Sequence, residues 1–295
     1  MPVRDLLAGR RRGGVPADLW VTCRKCGAMH YRPEFEAGLH VCTRCNYHDR
    51  LTVGQRLDLL LDDAEGFREL AADVLTSDPL NFSRPSGRYP DRVAKAQAST
   101  GRSEAVVCGV GHIQGHEVAV GVMEFGFIAG SMGGAAGERI ARLFELAQER
   151  RIPLVMVTSS GGARQDEGVF ALMQMAKTTA AAARLAAAGV PYIALMADPT
   201  LAGVTASFAA VADIIIGEPG ATIRFAGSRV VQGTLSRRAQ ADDHTAEWVL
   251  RRGMLDAVVP RRDQRRTIGR LIELLAPAQA SLPAEVVDAA RTRLG

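Results

Sequence analysis

The stretch PLVMVTSSGGAR, residues Pro153 to Arg164, decides how the chain is read. Pro153 to Thr158 is an apolar strand, and Ser159-Ser160-Gly161-Gly162-Ala163-Arg164 turns from it into a long Ala/Met-rich helix that reaches about Ala188. Glycines let the backbone turn sharply and bring N–H groups close to a ligand with no Cβ in the way. A helix beginning there adds its positive N-terminal field. Such a turn makes an oxyanion hole, main-chain donors aimed at a carbonyl oxygen that becomes negative during reaction. It serves equally as a plain strand-to-helix connection, and the residues leave both readings open.

Outward from this stretch the pattern repeats. On its N-terminal side, strands Ala105 to Val110 and Glu117 to Phe125 are joined by a turn at Gln114-Gly115. A second glycine turn, Gly130-Ser131-Met132-Gly133-Gly134, then opens a helix over about 135–150. On the C-terminal side come strand Tyr192 to Ala197, the turn Asp198-Pro199-Thr200 and a helix from Gly203 to Ala210. Strands Asp213 to Gly217 and Ala221 to Phe225 follow, then two helices flanking a short strand, Ala257 to Val259. Repeated strand, turn and helix units predict an α/β domain over 49–295. Within it, 51–75 carries helical spacing through Leu57, Leu60, Leu61, Phe67 and Leu70. The segment 76–102 reads as a surface excursion with one short helix near Arg92 to Gln97.

The N-terminal 50 residues are different in kind. Residues 1–20 read as a basic arm containing Arg10, Arg11 and Arg12, and 21–48 as a metal-binding module. Cys23-x-x-Cys26 and Cys42-x-x-Cys45 are two knuckles with fifteen residues between them, long enough for a short hairpin. Two such turns complete a tetrahedral four-thiolate site, closed to substrate, so the predicted ion is a structural zinc. His30, His40 and His48 lie beside the knuckles as surface or supporting groups. Cys108 stands apart in an apolar strand and reads as a small hydrophobe. The first 50 residues hold nine Lys/Arg against five Asp/Glu, which accounts for the whole +4 net charge. A basic module attracts phosphates, of nucleic acid or of a coenzyme.

Other chemistries find no support. No run approaches the roughly 20 apolar residues that cross a bilayer, and the N-terminus lacks a signal-peptide core, so a cytoplasmic protein with no membrane partner is expected. There is no dinucleotide fingerprint, Walker loop or GxSxG elbow, although Ser131, Ser159 and Ser160 stand near the glycines. His112 and His116 flank the predicted hairpin. Asp166 and Glu167 are placed to favour a helix dipole, not to act as bases. An enzyme built this way works through backbone electrostatics.

At this point a family resemblance enters. Gly130-Ser131-Met132-Gly133, Ser160-Gly161-Gly162-Ala163-Arg164, the run Leu172 to Lys177, Asp198-Pro199-Thr200 and Phe225-Ala226-Gly227 follow a four-cysteine ribbon. In that order they resemble the carboxyltransferase β subunits of bacterial acetyl-CoA carboxylase, over about residues 18–275. The resemblance implies a crotonase-like ββα spiral with an N-terminal zinc ribbon. It implies carboxyl transfer from carboxybiotin on a carrier protein to acetyl-CoA, giving malonyl-CoA for fatty acid or related biosynthesis. By matching motifs, the backbone of Gly161 and Gly162 would hold the thioester oxygen. Gly130, Ser131, Met132, Gly133, Gly134, Ala163 and Arg164 would line the acyl-CoA cleft. Implied partners are a carboxyltransferase α subunit in an α2β2 assembly, a biotin carboxyl carrier protein and, in the larger ATP-using complex, biotin carboxylase.

The chain departs from the family pattern at Arg224, where glycine is usual, and at Ser228, where proline is usual. A bulky cation at 224 beside a cleft would either clash with substrate or grip a phosphate or carboxylate, as in a divergent paralogue from a specialised pathway with altered substrate or weakened activity. The competing enzymatic reading is a biotin-independent malonyl-thioester decarboxylase or another crotonase-type acyl-thioester enzyme. A further possibility is nucleic-acid binding through the ribbon.

Overall fold

The computed structural model describes residues 19–85, 87–225 and 244–275. The basic arm up to residue 18, and Gly227 and Ser228, lie outside the described residues. The chain divides into two units, Met1–Asp49 and Arg50–Gly295.

In the first unit, β1 (Trp20–Thr22) and β2 (Met29–Tyr31) pair antiparallel. Helix α1 (Arg32–Ala37) then carries the chain back to the second knuckle. Gly27 ends the first knuckle at φ +70°, a left-handed conformation glycine adopts without a steric penalty.

The second unit is built on one mixed sheet. Its elements in chain order are α2 (Val53–Leu60), β3 (Arg68–Leu70), the small hairpin β4 (Ser83–Arg84) and β5 (Gly87–Arg88), and α3 (Tyr89–Thr100). Next come β6 (Val106–Ile113), β7 (His116–Met123), α4 (Gly134–Arg150), β8 (Leu154–Ser160) and α5 (Val169–Ala187). The chain continues through β9 (Tyr192–Leu201), α6 (Ala202–Thr205), β10 (Ile214–Gly217) and β11 (Ile223–Arg224). Helix α7 (Ala246–Leu250), β12 (Ala257–Val258) and α8 (Arg261–Leu275) complete it. Sheet order is β12-β10-β9-β8-β7-β6-β3, with β11 pairing the end of β9. Strands β7 to β10 and β12 run parallel; β6 and β3 are antiparallel to their neighbours.

The sheet is covered on both faces, so its central strands are continuously apolar. Along β8, Leu154 and Met156 pack with Ile140, Phe144 and Leu185 of α4 and α5, while Val155 and Val157 pack with Leu57, Leu60, Ile268 and Ile272 of α2 and α8. Buried charge fastens the second face. Glu218, after β10, accepts from Arg56 of α2 at 2.7 and 2.8 Å and from Arg261 of α8 at 2.9 and 3.0 Å.

Four local expectations change. The helical spacing of 51–75 yields only α2, closed by a Thr52/Gln55 capping box at its start; Leu70 belongs to edge strand β3. The predicted short helix near 92–97 is the twelve-residue α3, because Tyr89, Val93 and Ala96 bury one face of it and Gly101 caps it at φ +66°. Asp198-Pro199-Thr200 is the end of strand β9, since Thr200 pairs with Ile223 of β11. The helix expected over 203–210 is a single turn, α6, followed by a 3-10 turn at Phe208–Val211.

Candidate functional site

Three parallel strands, β7, β8 and β9, deliver their carboxyl ends to one place, where loops 124–133 and 161–168 meet the start of α6. Ligands of open parallel sheets are bound at that end of the strands. Among the loops, Met132 and Ala163 form a parallel bridge: Met132 N–H donates to Gly162 O at 2.9 Å, and Arg164 N–H to Met132 O at 2.9 Å. Ser160 adds a third tie, its hydroxyl donating to Gly130 O at 2.6 Å. The approach is too close for side chains: a Cβ on Gly130 would stand 2.1 Å from Ser159 O. The backbone is strained here, with Ile128, Ala129 and Gly130 all left-handed at φ +45°, +56° and +62°. Such conformations cluster at functional sites and persist only where the surroundings enforce them.

The expected donors do not stand as the sequence reading placed them. Gly161 N–H donates to Ala129 O at 2.8 Å, and Gly162 N–H to Ser160 Oγ at 3.0 Å. Both are spent on holding the loops. The N–H of Ala163 has no acceptor among the described residues, and Ala163 is partly exposed. Facing it is Gly203, second residue of α6, whose N–H precedes any carbonyl four residues back within the helix. A Cβ on Gly203 would lie 3.2 Å from Ala163 N, and one on Gly162 3.3 Å from Gly203 N. The Ala163/Gly203 space thus consists of two methyl-sized gaps, one beside each donor, left by the missing Cβ atoms of Gly203 and Gly162. Gly203 escaped notice as a donor because α6 is a single turn. The signal available was a third glycine directly after a third parallel strand.

The remaining predicted cleft residues mostly stand behind that space. Gly130, Ser131, Met132 and Gly133 are buried. The N-terminus of α4 is already occupied: Gly134 N–H donates to Glu167 Oε2 at 2.6 Å, and a Cβ on Gly133 would strike Glu167 Oε1 at 2.3 Å. Glu167 thus serves a helix dipole, but that of α4, not its own. Helix α5 itself begins only at Val169, so its N-terminal field does not start at Gly161 as expected.

Arg164 is not a ligand-facing cation. Its guanidinium is fully buried and donates to Glu104, to Ser131 O at 2.6 Å, to Thr76 Oγ1 at 3.0 Å and to Tyr89 Oη at 3.2 Å. Burial would raise the Glu104 carboxyl, but Arg164 more than offsets this and holds it below its ordinary range. Tyr89 in turn donates to Glu167 at 2.5 Å. Asp166 pairs with Arg84 at 2.9 Å and with Arg92. Tyr89, Glu104 and Thr76 carry no local sequence signal, since their partner lies 60 to 88 residues away. Arg224 closes β11 opposite Leu201, the residue before α6. Cys108 is fully buried, with its thiol pushed up to about 12 by that burial.

In the ribbon the four sulfurs of Cys23, Cys26, Cys42 and Cys45 all lie within 4.8 Å of one another. Cys23–Cys45 and Cys26–Cys42 separations are 3.7 Å, far beyond a disulfide. A tetrahedral site with Zn–S of about 2.3 Å requires sulfurs roughly 3.8 Å apart, so the residues fit zinc. His30 Nε2 lies 3.1 Å from Cys42 Sγ, a supporting contact and not a fifth ligand.

Residues 20–45 match the acetyl-CoA carboxylase zinc finger domain, and 47–248 match the carboxyl transferase domain. The chain is 45% identical over 273 residues to the acetyl-coenzyme A carboxylase carboxyl transferase subunit beta of Chloroflexus aurantiacus, covering 91% of this chain and 89% of that one. It is 47% identical over 262 residues to subunit beta 2 of Roseiflexus sp. (strain RS-1), covering 89% and 86%. Among solved structures it is similar to the transcarboxylase 12S hexamer with methylmalonyl-coenzyme A bound, at TM-score 0.63 and 27% identity over 77% of this chain and 40% of that one. A Pseudomonas malonate decarboxylase hetero-tetramer shares the fold at TM-score 0.61 and 22% identity, over 81% and 88%. That likeness is one of fold alone, and the decarboxylase reading is not favoured beside relatives of twice the identity. The chain belongs to the family of acetyl-CoA carboxylase carboxyl transferase β subunits.

Proposed function

We propose that this chain supplies the acyl-thioester half of a carboxyltransferase site, with the N–H groups of Ala163 and Gly203 receiving the thioester oxygen. The observation that carries the reading is a pair of N–H groups with no acceptor among the described residues, each beside a gap left by a glycine, at the carboxyl ends of β8 and β9. Carboxybiotin on a carrier protein releases CO2, and the freed ureido nitrogen takes a proton from the acetyl methyl. The negative charge moves to the thioester oxygen, where preorganised N–H groups stabilise it, and the enolate carbon then bonds to CO2 to give malonyl-CoA. No side-chain base of this chain is required. Acetyl-CoA is the substrate and fatty acid synthesis the expected use of the product. Zinc, held by the four cysteines, keeps the ribbon folded and leaves no position open for chemistry.

An α subunit completes the site by presenting the biotin. The test is turnover of malonyl-CoA with biotinylated carrier and a cognate α subunit. Activity should appear only when both chains are mixed. Equal activity of the chain alone would refute the division of labour.

A second reading concerns the ribbon. Trp20 and Tyr31 pack edge to face at 5.9 Å and are 44% and 39% exposed, beside Met29 at 65%. Exposed rings on a basic module suit base stacking in single-stranded nucleic acid. Anisotropy with labelled oligonucleotides should give salt-dependent binding that Trp20→Ala weakens; binding indifferent to Trp20 would remove this reading.

A further inference from the structure

The turn Gln114-Gly115 between β6 and β7 lies at the amino ends of the parallel strands, away from the glycine loops. Between it and α8 is a notch of about 450 Å³ lined by Gln114, Arg266, Thr267, Arg270 and Leu271. Its size is in the range of small-molecule sites. The notch is built on a fixed wall. Asp62 accepts from the N–H groups of Gln114 and Gly115 at 2.8 and 2.7 Å and also pairs with Arg265 of α8. Gly269 lets the Gln114 side chain press against the helix, since a Cβ there would stand 2.0 Å from Gln114 Oε1.

The lining has two characters. Leu271, the Thr267 methyl and the arginine stems form an apolar floor. At the rim are two guanidinium groups one helical turn apart, with side chains 79% (Arg266) and 62% (Arg270) exposed. Among the described residues each pairs with one carboxylate of its own helix, the half-exposed Asp263 at 3.1 Å and the exposed Glu273 at 2.5 Å. Exposed pairs at this spacing hold their members weakly, so exchanging one for a ligand costs little. Planar guanidinium matches planar carboxylate through two parallel hydrogen bonds.

We propose that this notch binds a small amphiphilic carboxylate: an aliphatic tail on the Leu271 floor and a carboxylate head between Arg266 and Arg270. The proposal stands apart from the carboxyltransferase reading, because none of that site's residues lines the notch.

The test is titration of the full-length, zinc-loaded chain with octanoate, acetate and octanol by ligand-observed NMR. Octanoate should bind saturably at millimolar concentration or below, and at least tenfold more tightly than acetate or octanol. The double variant Arg266→Gln/Arg270→Gln should weaken octanoate at least tenfold, with an unchanged Tm as the check that it folds. A Tm lowered in the double variant shifts the test to Leu271→Gln, which should weaken octanoate with both arginines present. Absence of saturation, or octanoate binding unchanged in the variants, would overturn the proposal, as would equal affinity for octanol.

Discussion

Glu104 and Arg164 form an ion pair with neither side chain exposed to solvent. Through Arg164 the pair ties strand β6 to both glycine loops, because the same guanidinium reaches Ser131 O while the Arg164 N–H reaches Met132 O. Removing one partner leaves a buried charge unpaired, which costs about 3–5 kcal/mol. Glu104→Ala should therefore lower unfolding free energy by that order in urea titrations. Glu104→Gln, which keeps an acceptor oxygen but also removes the charge, should lower it by a comparable amount. A Gln variant as stable as the wild type would show that the charge is not what matters.

The Ala163/Gly203 space gives a sharper kinetic expectation. Gly203→Ala would place a methyl 3.2 Å from Ala163 N, with Met175 Sδ also at 3.2 Å, a fit requiring only small shifts. The fold should survive while access to the donor is blocked. Loss of one oxyanion donor typically costs about 10²–10³ in kcat. A fall in kcat of that size with little change in KM is expected from steady-state assays with the α subunit; a change confined to KM would mean that residue 203 only shapes the cleft.

Arg224 offers a test of specificity. Its backbone pairs with Leu201, the residue before α6, and if the side chain serves acyl-CoA binding, Arg224→Gly should raise KM for acyl-CoA several-fold without lowering kcat in proportion. Identical kinetics would remove the residue from substrate binding.

Acid should destabilise the chain through two buried carboxylates. Burial alone would raise Glu104 and Glu218, but Arg164 for the first, and Arg56 and Arg261 for the second, hold both below the ordinary carboxylate range. With folded values below the unfolded ones, the stability they contribute is complete above about pH 4.5 and is lost as pH falls through the folded values. Between these limits the unfolded chain binds more protons, so stability there rises with pH. Urea midpoints should be nearly level from pH 6 to 7.5 in this respect and fall below about 4.5. Glu218→Gln should have a shallower acid limb; an identical limb would exclude Glu218 as its source.

Much of this architecture is legible in the sequence because its signals are local. The knuckles of Cys23 to Cys45 and the apolar runs of β8 and β9 each need only neighbouring residues to be recognised. What escaped was decided by distant partners. Asp198-Pro199-Thr200 reads as a turn until β11 arrives to pair with Thr200. Arg164, assigned to the acyl-CoA cleft by resemblance, is enclosed by Glu104 and Tyr89. Gly161 and Gly162 had the right chemistry, but Ala129 and Ser160 take their N–H groups, and the open donors lie one residue further on and in the next repeat.

Vibrational spectroscopy reads directly whether the thioester oxygen accepts from Ala163 N–H and Gly203 N–H, as proposed. With acetyl-CoA labelled by 13C at the thioester carbonyl and bound to the assembled α and β chains, the carbonyl stretch should move to lower frequency than in water. In the Gly203→Ala complex it should return toward the solution value. A wild-type stretch at or above the solution frequency would contradict the oxyanion-hole assignment.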